Sequence, residues 1–596
     1  MNKPVYILGI SCFYHDSAAV LLKNGEIVFA SQEERFSRKK HDESFPKLAI
    51  EQALKHAGIN AQDLDAVAFY EKPILKFFDR ILQTTMKVWP RGFMQYHMVM
   101  QEWMPKKLWI PHIIRRELSY KGLIYYPSHH ESHAASAFFC SGFPDAAIVT
   151  ADGVGEWATT TIGHGKGKSL KLLREIRYPH SLGLLYSAIT YYLGFKVNSA
   201  EYKVMGLAPY GEPKYLEQMR KLIDVKQDGS FALDMKYFTY EYGLRMTGRN
   251  IEKLFGQPTR TPESPLEQFH KDIARSLQEL TDEVMLNLAR AAKELTGSNY
   301  LCLAGGVALN CVSNGKILRS GMFEDIFIQP ASGDAGGALG AALMAWHGMM
   351  DGERLPRMEH VFLGKSYSQT EIEDFLTKNQ IPSEKIPAVD LPKHVATLLQ
   401  GENVIGWFQG RTEYGPRSLG NRSIIADARN PNNWKKVNLK IKFRESFRPF
   451  APTVLEEKVS EYFDLDRESP FMLLVADTKE KYRAEIPAVT HVDGSARIQT
   501  INRNQNALYY DLLKAFDEQT GHVKDGVHVA GCPVIINTSF NVRGEPIVES
   551  PQDAWNCFIH THMDYLVLGQ CIVDKKRLPA EWKRSSEEYL KQFALD

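Results

Sequence analysis

Two histidines four residues apart, His129 and His133 in the run His129-His130-Glu131-Ser132-His133, would stand on one face of a helix at chelating distance. Taken alone, that spacing describes surface or core histidine pairs more often than ligands. Asp152, at the end of the next expected strand, and Asp334, in a glycine-rich loop, add hard oxygen donors to the two imidazoles. A mixed nitrogen and oxygen set of this kind suits Fe2+, Mn2+ or Zn2+ better than Mg2+. No glutamate directly follows His129, so the HExxH pattern of zinc peptidases is absent.

Three glycine-rich loops follow expected strands: Asp152-Gly153-Val154-Gly155, Gly305-Gly306-Val307 and Gly333-Asp334-Ala335-Gly336-Gly337. Each alone reads as a tight turn; together, with helix N-termini behind them, their amides are suited to cradling phosphate. Residues 411–448 carry ten Lys/Arg against three acids, a local +7 in a chain whose 72 Lys+Arg and 71 Asp+Glu leave +1 overall. A solvated face would explain this charge, as would nucleic-acid binding with Trp434, Phe443 and Phe447 as stacking residues. The turns Gly415-Pro416-Arg417-Ser418-Leu419-Gly420 and Phe447-Arg448-Pro449-Phe450 favour a third reading. They hold arginines rigidly, as bidentate recognition of small polyanions requires.

These residues need strands and helices to position them. Residues 5–10 and 18–22 read as strands, and Asn24-Gly25 is a type I′ hairpin signal before a strand at 26–30. The layout recurs with strands at 146–150, 159–162 and 170–173, which implies a duplicated fold. Between the copies, 46–57 reads as a helix closed by Gly58 and 66–70 as a strand. Strands at 300–304 and 326–329 and a helix at 338–346 complete the first part. The polar stretch 350–358 is the expected linker, dividing domains at 1–352 and 359–596. The second domain contains strands at 404–408 and 533–536, the latter ending in Asn537-Thr538-Ser539. Residues 73–109, rich in aromatics, Met and Lys/Arg, read as a helical cap on the first domain in preference to a membrane-surface helix, because Pro90, Gly92 and Pro105 interrupt any long amphipathic face.

At 596 residues, 44% hydrophobic and 24% charged, the composition is that of a globular protein and excludes disorder and coiled coil. Seven scattered cysteines with no CxxC pair argue against a disulfide framework, and no apolar run reaches the roughly 18 residues of a membrane span. The expectation is a cytoplasmic protein with small-molecule partners, without nucleic acid or membrane, since a net charge of +1 gives neither any global attraction.

The conjunction of His15-Asp16-Ser17-Ala18-Ala19, Glu33-Glu34-Arg35-Phe36, the 129–138 histidine segment, Gly305-Gly306-Val307-Ala308-Leu309-Asn310, Gly415-Pro416-Arg417, Phe447-Arg448-Pro449-Phe450 and Asn537-Thr538-Ser539-Phe540-Asn541 resembles the O-carbamoyltransferase family of nodulation-factor, nebramycin, cephamycin and novobiocin biosynthesis. The resemblance covers essentially the whole chain. It implies an α/β protein with two domains. The N-terminal one would be a duplicated actin/hexokinase-like domain similar to the threonylcarbamoyladenosine transferase subunit, and the C-terminal one an α/β domain similar to threonylcarbamoyl-AMP synthase. The C-terminal domain would make carbamoyl-AMP from carbamoyl phosphate and ATP with Mg2+, and the N-terminal domain would pass the carbamoyl group to a hydroxyl acceptor.

The resemblance further implies that His129, His133, Asp152 and Asp334 ligate iron. Gly153, Glu201, Lys203, Gly305, Gly306 and Asn310 match nucleotide-contacting segments, and Arg417, Lys442, Arg448, Arg497, Asn537 and Ser539 match positions that hold ATP and carbamoyl phosphate. His15, in the loop after the first strand, is the expected base, because a neutral imidazole of pKa about 6.5 suits proton removal from an alcohol. Residues 73–109 are the candidate for part of the acceptor pocket. Two other functions fit parts of the pattern: a small-molecule kinase of the actin-like superfamily, and a non-enzymatic nucleotide-binding module. The kinase needs no second phosphate-binding set, and the binding module leaves four metal-type donors idle.

Overall fold

The computed structural model describes residues 3–524, 527–582 and 585–593, and the chain forms two units. In the first, β1 (Tyr6–Ser11) is wholly buried and pairs antiparallel with β2 (Ala18–Lys23), which pairs antiparallel with β3 (Glu26–Gln32). Asn24 and Gly25 join them at φ of 52° and 86°, the two left-handed residues of a type I′ turn. β4 (Ala66–Phe69) and β5 (Leu123–Tyr125) add in parallel, giving the order β3-β2-β1-β4-β5. The helix α1 (Lys47–Ala57) crosses from β3 to β4 and ends at Gly58, whose φ of 67° makes the left-handed cap.

A second sheet repeats this plan. β6 (Asp145–Ala151), β7 (Ala158–Lys166) and β8 (Ser169–Arg177) form an antiparallel meander, and β9 (Tyr300–Ala304) and β10 (Asp325–Ile328) add in parallel, giving β8-β7-β6-β9-β10. Strand for strand, the two sheets share order and direction, so the duplication read from the hairpins extends to whole sheets.

Two helices carry site residues: α2 (His129–Phe138) and α3 (Asp334–Met349). They pack so closely that a Cβ on Gly340 would lie 1.6 Å from the Ser132 carbonyl oxygen. α3 begins at Asp334, four residues before the helix expected from 338. Glycine-rich sequence has poor helix propensity, and here the small residues are retained for close packing.

The second unit holds a nine-stranded mixed sheet. Its strands are β11 (Glu384–Lys385), β12 (Ile405–Phe408), β13 (Arg422–Asp427), β14 (Ala451–Leu455), β15 (Leu474–Asp477), β16 (Ser495–Ile501), β17 (Val534–Ser539), β18 (Tyr565–Leu568) and β19 (Cys571–Asp574), in the order β11-β19-β18-β12-β13-β17-β14-β16-β15. Helices α4 (Leu391–Gln400) and α5 (Ala507–Thr520) contribute Leu399 and Phe516 to a core centred on the fully buried Trp407. β17 runs through Asn537 and Ser539, which the sequence placed after the strand. Both stay in the ladder, opposite Ile425 and Ser423.

The unit boundary differs from the expected division in one place. Residues 34–40 belong to the second unit, along with 359–596, while 1–33 and 41–358 form the first. The physical reason is hydrogen bonding. Arg35 donates to the Gly415 carbonyl at 2.7 Å, and Arg38 donates to the Ile547 and Pro546 carbonyls and pairs with Glu545 at 3.0 Å. Withdrawing the buried Arg35 and the half-buried Arg38 from such partners is costly, so the segment follows its partners rather than its sequence neighbours.

Candidate active site

In the first unit, Ser128 caps α2, accepting from the Glu131 amide while the Glu131 carboxylate accepts from the Ser128 amide. The cap sets the start of the helix, and its period then puts His129 and His133 on one face. Asp152 follows the last residue of β6, and Asp334 is the first residue of α3. The four side chains converge, with one donor atom from each lying within 4.8 Å of the others. His129 Nε2 is 2.9 Å from Asp152 Oδ2 and 3.0 Å from His133 Nε2, and Asp334 Oδ1 is 3.8 Å from both histidines.

Two observations test whether this set fits a cation. Both Asp334 carboxylate oxygens are buried without a hydrogen-bond partner among the described residues. The two Nε2 atoms also face each other at 3.0 Å, about the separation of two nitrogens each roughly 2.1 Å from a shared ion at right angles. The residues therefore fit a divalent transition ion. Without one, protons carry the balance. Burial opposes a charge on His133, but Asp152 and Asp334 raise it to about 9. Burial likewise opposes ionisation of Asp152, which His129 and His133 nevertheless hold well below the usual carboxylate range. His130, between the ligands in sequence, points elsewhere: it bonds Thr150 Oγ1 at 2.6 Å and the Ala158 carbonyl at 2.8 Å, and burial pushes it down to about 3.

The surrounding shell was not legible in the sequence. Glu156 accepts from the His129 amide at 3.1 Å and the Lys72 amide at 2.8 Å, fixing the start of α2 against the loop after β6. Glu71, paired with Lys76, lies 3.8 Å from His129 Nδ1. No local pattern marks these acids, since each acts through a residue distant in sequence.

His15 lies half-buried in the loop after β1, with Nδ1 3.0 Å from Asp16 Oδ2. The other Asp16 oxygen is 2.7 Å from His41 Nδ1, and His41 Nε2 meets Ser199 Oγ at 3.1 Å. Asp16 thus bridges two imidazoles, and Asp16 and His41 both hold left-handed backbone, at φ of 52° and 56°. Burial opposes a charge on His15, but Asp334, Asp16 and Asp152 outweigh it and raise the imidazole to about 10. Two of these carboxylates belong to the metal-type cluster, so a cation there would remove much of the upward pull.

The nucleotide-matching residues divide into two groups. Gly306 donates its amide to Asp152 Oδ1 at 3.1 Å, and Gly305, at φ of 87°, sits where a Cβ would fall 2.3 Å from the Ala151 carbonyl oxygen. The Gly153 carbonyl accepts from Ser181 Oγ at 2.8 Å, so these glycines surround Asp152. Asn310, Glu201 and Lys203 are held by local contacts. Asn310 caps the helix Cys311–Arg319 and exchanges two 3.1 Å amide bonds with Gln278. Glu201 accepts from Ser187 Oγ at 2.7 Å and from the Asn198 amide at 2.9 Å, and the fully buried Lys203 lies 5.8 Å from the Phe195 ring centre.

In the second unit, Lys442 is buried and its ammonium donates to the Ser539 hydroxyl at 3.0 Å, Asn541 Oδ1 at 2.6 Å and the Asn541 carbonyl at 3.0 Å. Burial, with Arg444 and Arg448 adding like charge, holds its pKa well below the ordinary lysine value. Asn537 donates to Gln499 Oε1 at 2.8 Å, and Arg497 is two positions from Gln499 on β16, hence on the same sheet face. Arg448 is 3.6 Å from Glu445. The loop bearing Arg417 is held by Glu413, whose Oε1 accepts from the amides of Leu419, Asn421 and Arg422 at 2.8, 2.9 and 3.2 Å. In the sequence Glu413 counted only as an acid offsetting a basic segment. Cationic side chains on such preset loops are groups that can neutralise phosphoryl oxygens.

Comparisons with known proteins agree with this two-part layout. The family model described as carbamoyltransferase N-terminus matches residues 6–343, and the one described as carbamoyltransferase C-terminus matches residues 396–575. An uncharacterised protein of Synechocystis sp. is 49% identical, over 99% of this chain and 100% of its own. Nodulation protein NolNO of Sinorhizobium fredii is 39% identical, over 96% of this chain and 81% of its own. Among solved structures, the ROK hexokinase from Thermus thermophilus covers 57% of this chain and 98% of its own at 13% identity and a TM-score of 0.28. HypF from T. kodakarensis covers 57% of this chain and 48% of its own at 13% identity and a TM-score of 0.28. Likenesses this loose say nothing about chemistry.

Proposed function

The chain belongs to the carbamoyltransferase family, and we propose that it is an ATP-dependent O-carbamoyltransferase acting on a hydroxyl of a small natural-product acceptor. The observation that carries this reading is the buried His129, His133, Asp152 and Asp334 cluster with its unpartnered Asp334 oxygens. A kinase reading leaves that cluster and the Lys442 cradle without a shared purpose.

In the second unit, carbamoyl phosphate loses its phosphoryl group to water, leaving carbamate. A carbamate oxygen then attacks the α-phosphorus of ATP, supplied with Mg2+, and pyrophosphate leaves. Arg417, Lys442 and Arg448 neutralise the phosphoryl oxygens as charge shifts, while Arg497, Asn537 and Ser539 hold the two substrates. Carbamate decomposes readily, so activation as a mixed anhydride with AMP away from water preserves it.

In the first unit, the acceptor oxygen attacks the carbamoyl carbon and AMP leaves with the electrons of the broken bond. Asp16 occupies Nδ1 of His15, so it is the neutral form of the imidazole that takes the acceptor proton at Nε2. Gly153, Gly305 and Gly306 bring backbone close to Asp152, and Glu201, Lys203 and Asn310 shape the nucleotide-side walls. Fe2+ or another divalent transition ion held by His129, His133, Asp152 and Asp334 would supply charge to the adenylate phosphate and polarise the carbamoyl carbonyl.

The test is a nucleotide product assay on wild type and His133→Ala. Wild type is expected to convert ATP to AMP and pyrophosphate only with carbamoyl phosphate present. His133→Ala should lose one bound transition ion and acceptor carbamoylation but retain AMP formation. ADP as the main product overturns the reading in favour of a kinase. His15→Asn keeps size and one hydrogen bond but removes the base, so carbamoylation should fall at least ~10²-fold with adenylate formation preserved. Transfer at wild-type rate with an unchanged pH profile removes His15 from the mechanism.

A further inference from the structure

The chain between β4 and β5 is helical and packs on the first unit, yet leaves much of its apolar surface exposed. Of eighteen large apolar side chains that stand exposed among the described residues, ten fall between 74 and 109. Phe78, Met86, Trp89, Phe93, Met94 and Trp109 are each more than half exposed, at 56, 68, 56, 53, 60 and 59%. The segment is nevertheless anchored. Phe77 and Trp103 are buried, Arg80 donates to the Gly155 carbonyl at 2.5 Å, and Gln95 donates to the Tyr240 carbonyl at 2.9 Å. The segment is therefore fixed to the unit by packing and polar contacts while many of its large apolar side chains stay exposed, a combination that marks an interaction surface.

Charge identifies the occupant. Residues 72–121 carry ten Lys/Arg against three acids, a local +7. Lys87, Arg91, Lys106, Arg115, Arg116 and Lys121 are exposed, interleaved with or flanking the apolar residues. The helix Ile110–Leu118 shows the division clearly, burying Ile110, Ile114 and Leu118 while Arg115 and Arg116 face outward. We propose that this face docks peripherally on an anionic lipid surface. Trp, Phe and Met side chains enter the headgroup and upper acyl region, and the basic side chains reach the anionic headgroups. A second copy of the chain is a poorer occupant, because a two-fold contact would bring this positive excess onto itself. No described helix is long and apolar enough to cross a membrane, which keeps the docking at the surface. The overall +1, from which no membrane attraction was expected, averages away the local excess.

The test is co-sedimentation of the full chain with vesicles of phosphatidylcholine containing about 30% phosphatidylglycerol, against pure phosphatidylcholine, at low and high salt. Binding is expected only to the anionic vesicles and only at low salt. Arg115→Glu combined with Arg116→Glu should lower the bound fraction about tenfold or more, and so should Trp89→Ser, Phe93→Ser and Trp109→Ser together. Both variants should unfold at the wild-type temperature, since the altered side chains are exposed. Absence of vesicle binding by wild type overturns the proposal, as does equal binding by wild type and both variants. Self-association that the aromatic variant abolishes, without vesicle binding, assigns the face to a second copy instead.

Discussion

Residues 72–121 and 411–448 have the same charge balance, ten Lys/Arg against three acids, and opposite fates. In 411–448 only Lys435 and Lys440 of the ten cations are exposed; in 72–121 six are. Arg422 is fully buried, its guanidinium 3.7 Å from the Phe408 ring centre and donating to the Gly410 carbonyl at 3.2 Å. Lys87 is 69% exposed and lies 3.7 Å from Glu241. The difference teaches that local charge density alone does not separate the proposed site for a small polyanion from the proposed face for an extended one. What separates them is desolvation. A buried cation with preset partners binds a small anion strongly and selectively, whereas an exposed one contributes a diffuse, salt-screened attraction.

The largest effect expected from this contrast lies in residues 411–448. Arg417→Ala and Lys442→Ala should each slow carbamoyl-phosphate-dependent AMP formation ~10- to 10³-fold, because removing a charge-assisted phosphate contact from a preorganised site costs roughly 1.5–4 kcal/mol. Chemically supplied carbamoyl-AMP should restore carbamoylation in both variants. If rates stay near wild type, the placement of these cations has no catalytic meaning.

A middling effect concerns Glu549, which accepts from Thr412 Oγ1 at 2.5 Å. Burial, outweighing the nearby Arg422, raises its pKa to about 7. In the unfolded chain a glutamate releases its proton near ~4.3. Between those values the folded state binds the extra proton, so this group's stabilising contribution is fully present at low pH and is lost as pH rises through about 7. Glu549→Gln should flatten the fall in unfolding temperature between the two values. An unaltered slope would place the titration elsewhere.

The smallest effect belongs to the exposed segment. Lys87→Ala and Arg91→Ala should change unfolding free energy by no more than ~0.5 kcal/mol, since a solvated ion pair is worth little. A loss above ~2 kcal/mol in denaturant titration would show that these cations are part of the fold after all.

Much of the architecture was readable because it is local. The Asn24-Gly25 hairpin, the Gly58 cap and the strand at 300–304 each depend on neighbours within a few residues, and each forms where the pattern places it. α3 starts ahead of where local propensity places it because its glycines, poor helix formers, are kept for packing against α2. β17 extends beyond its apolar run because Asn537 and Ser539, poor strand formers by type, are held in the ladder with β13.

By itself the sequence determined the family motifs, the duplicated α/β plan and the presence of two histidines one helical turn apart. Only the tertiary structure decided that Asp152 and Asp334 meet those histidines, that Asp16 joins His15 to His41, that residues 34–40 leave the first unit, and which of two equal positive segments is the less exposed. Propensity and periodicity act over a few residues, where chain geometry alone relates side chains. Convergence and desolvation depend on which distant surfaces pack together, and no short stretch of sequence carries that information.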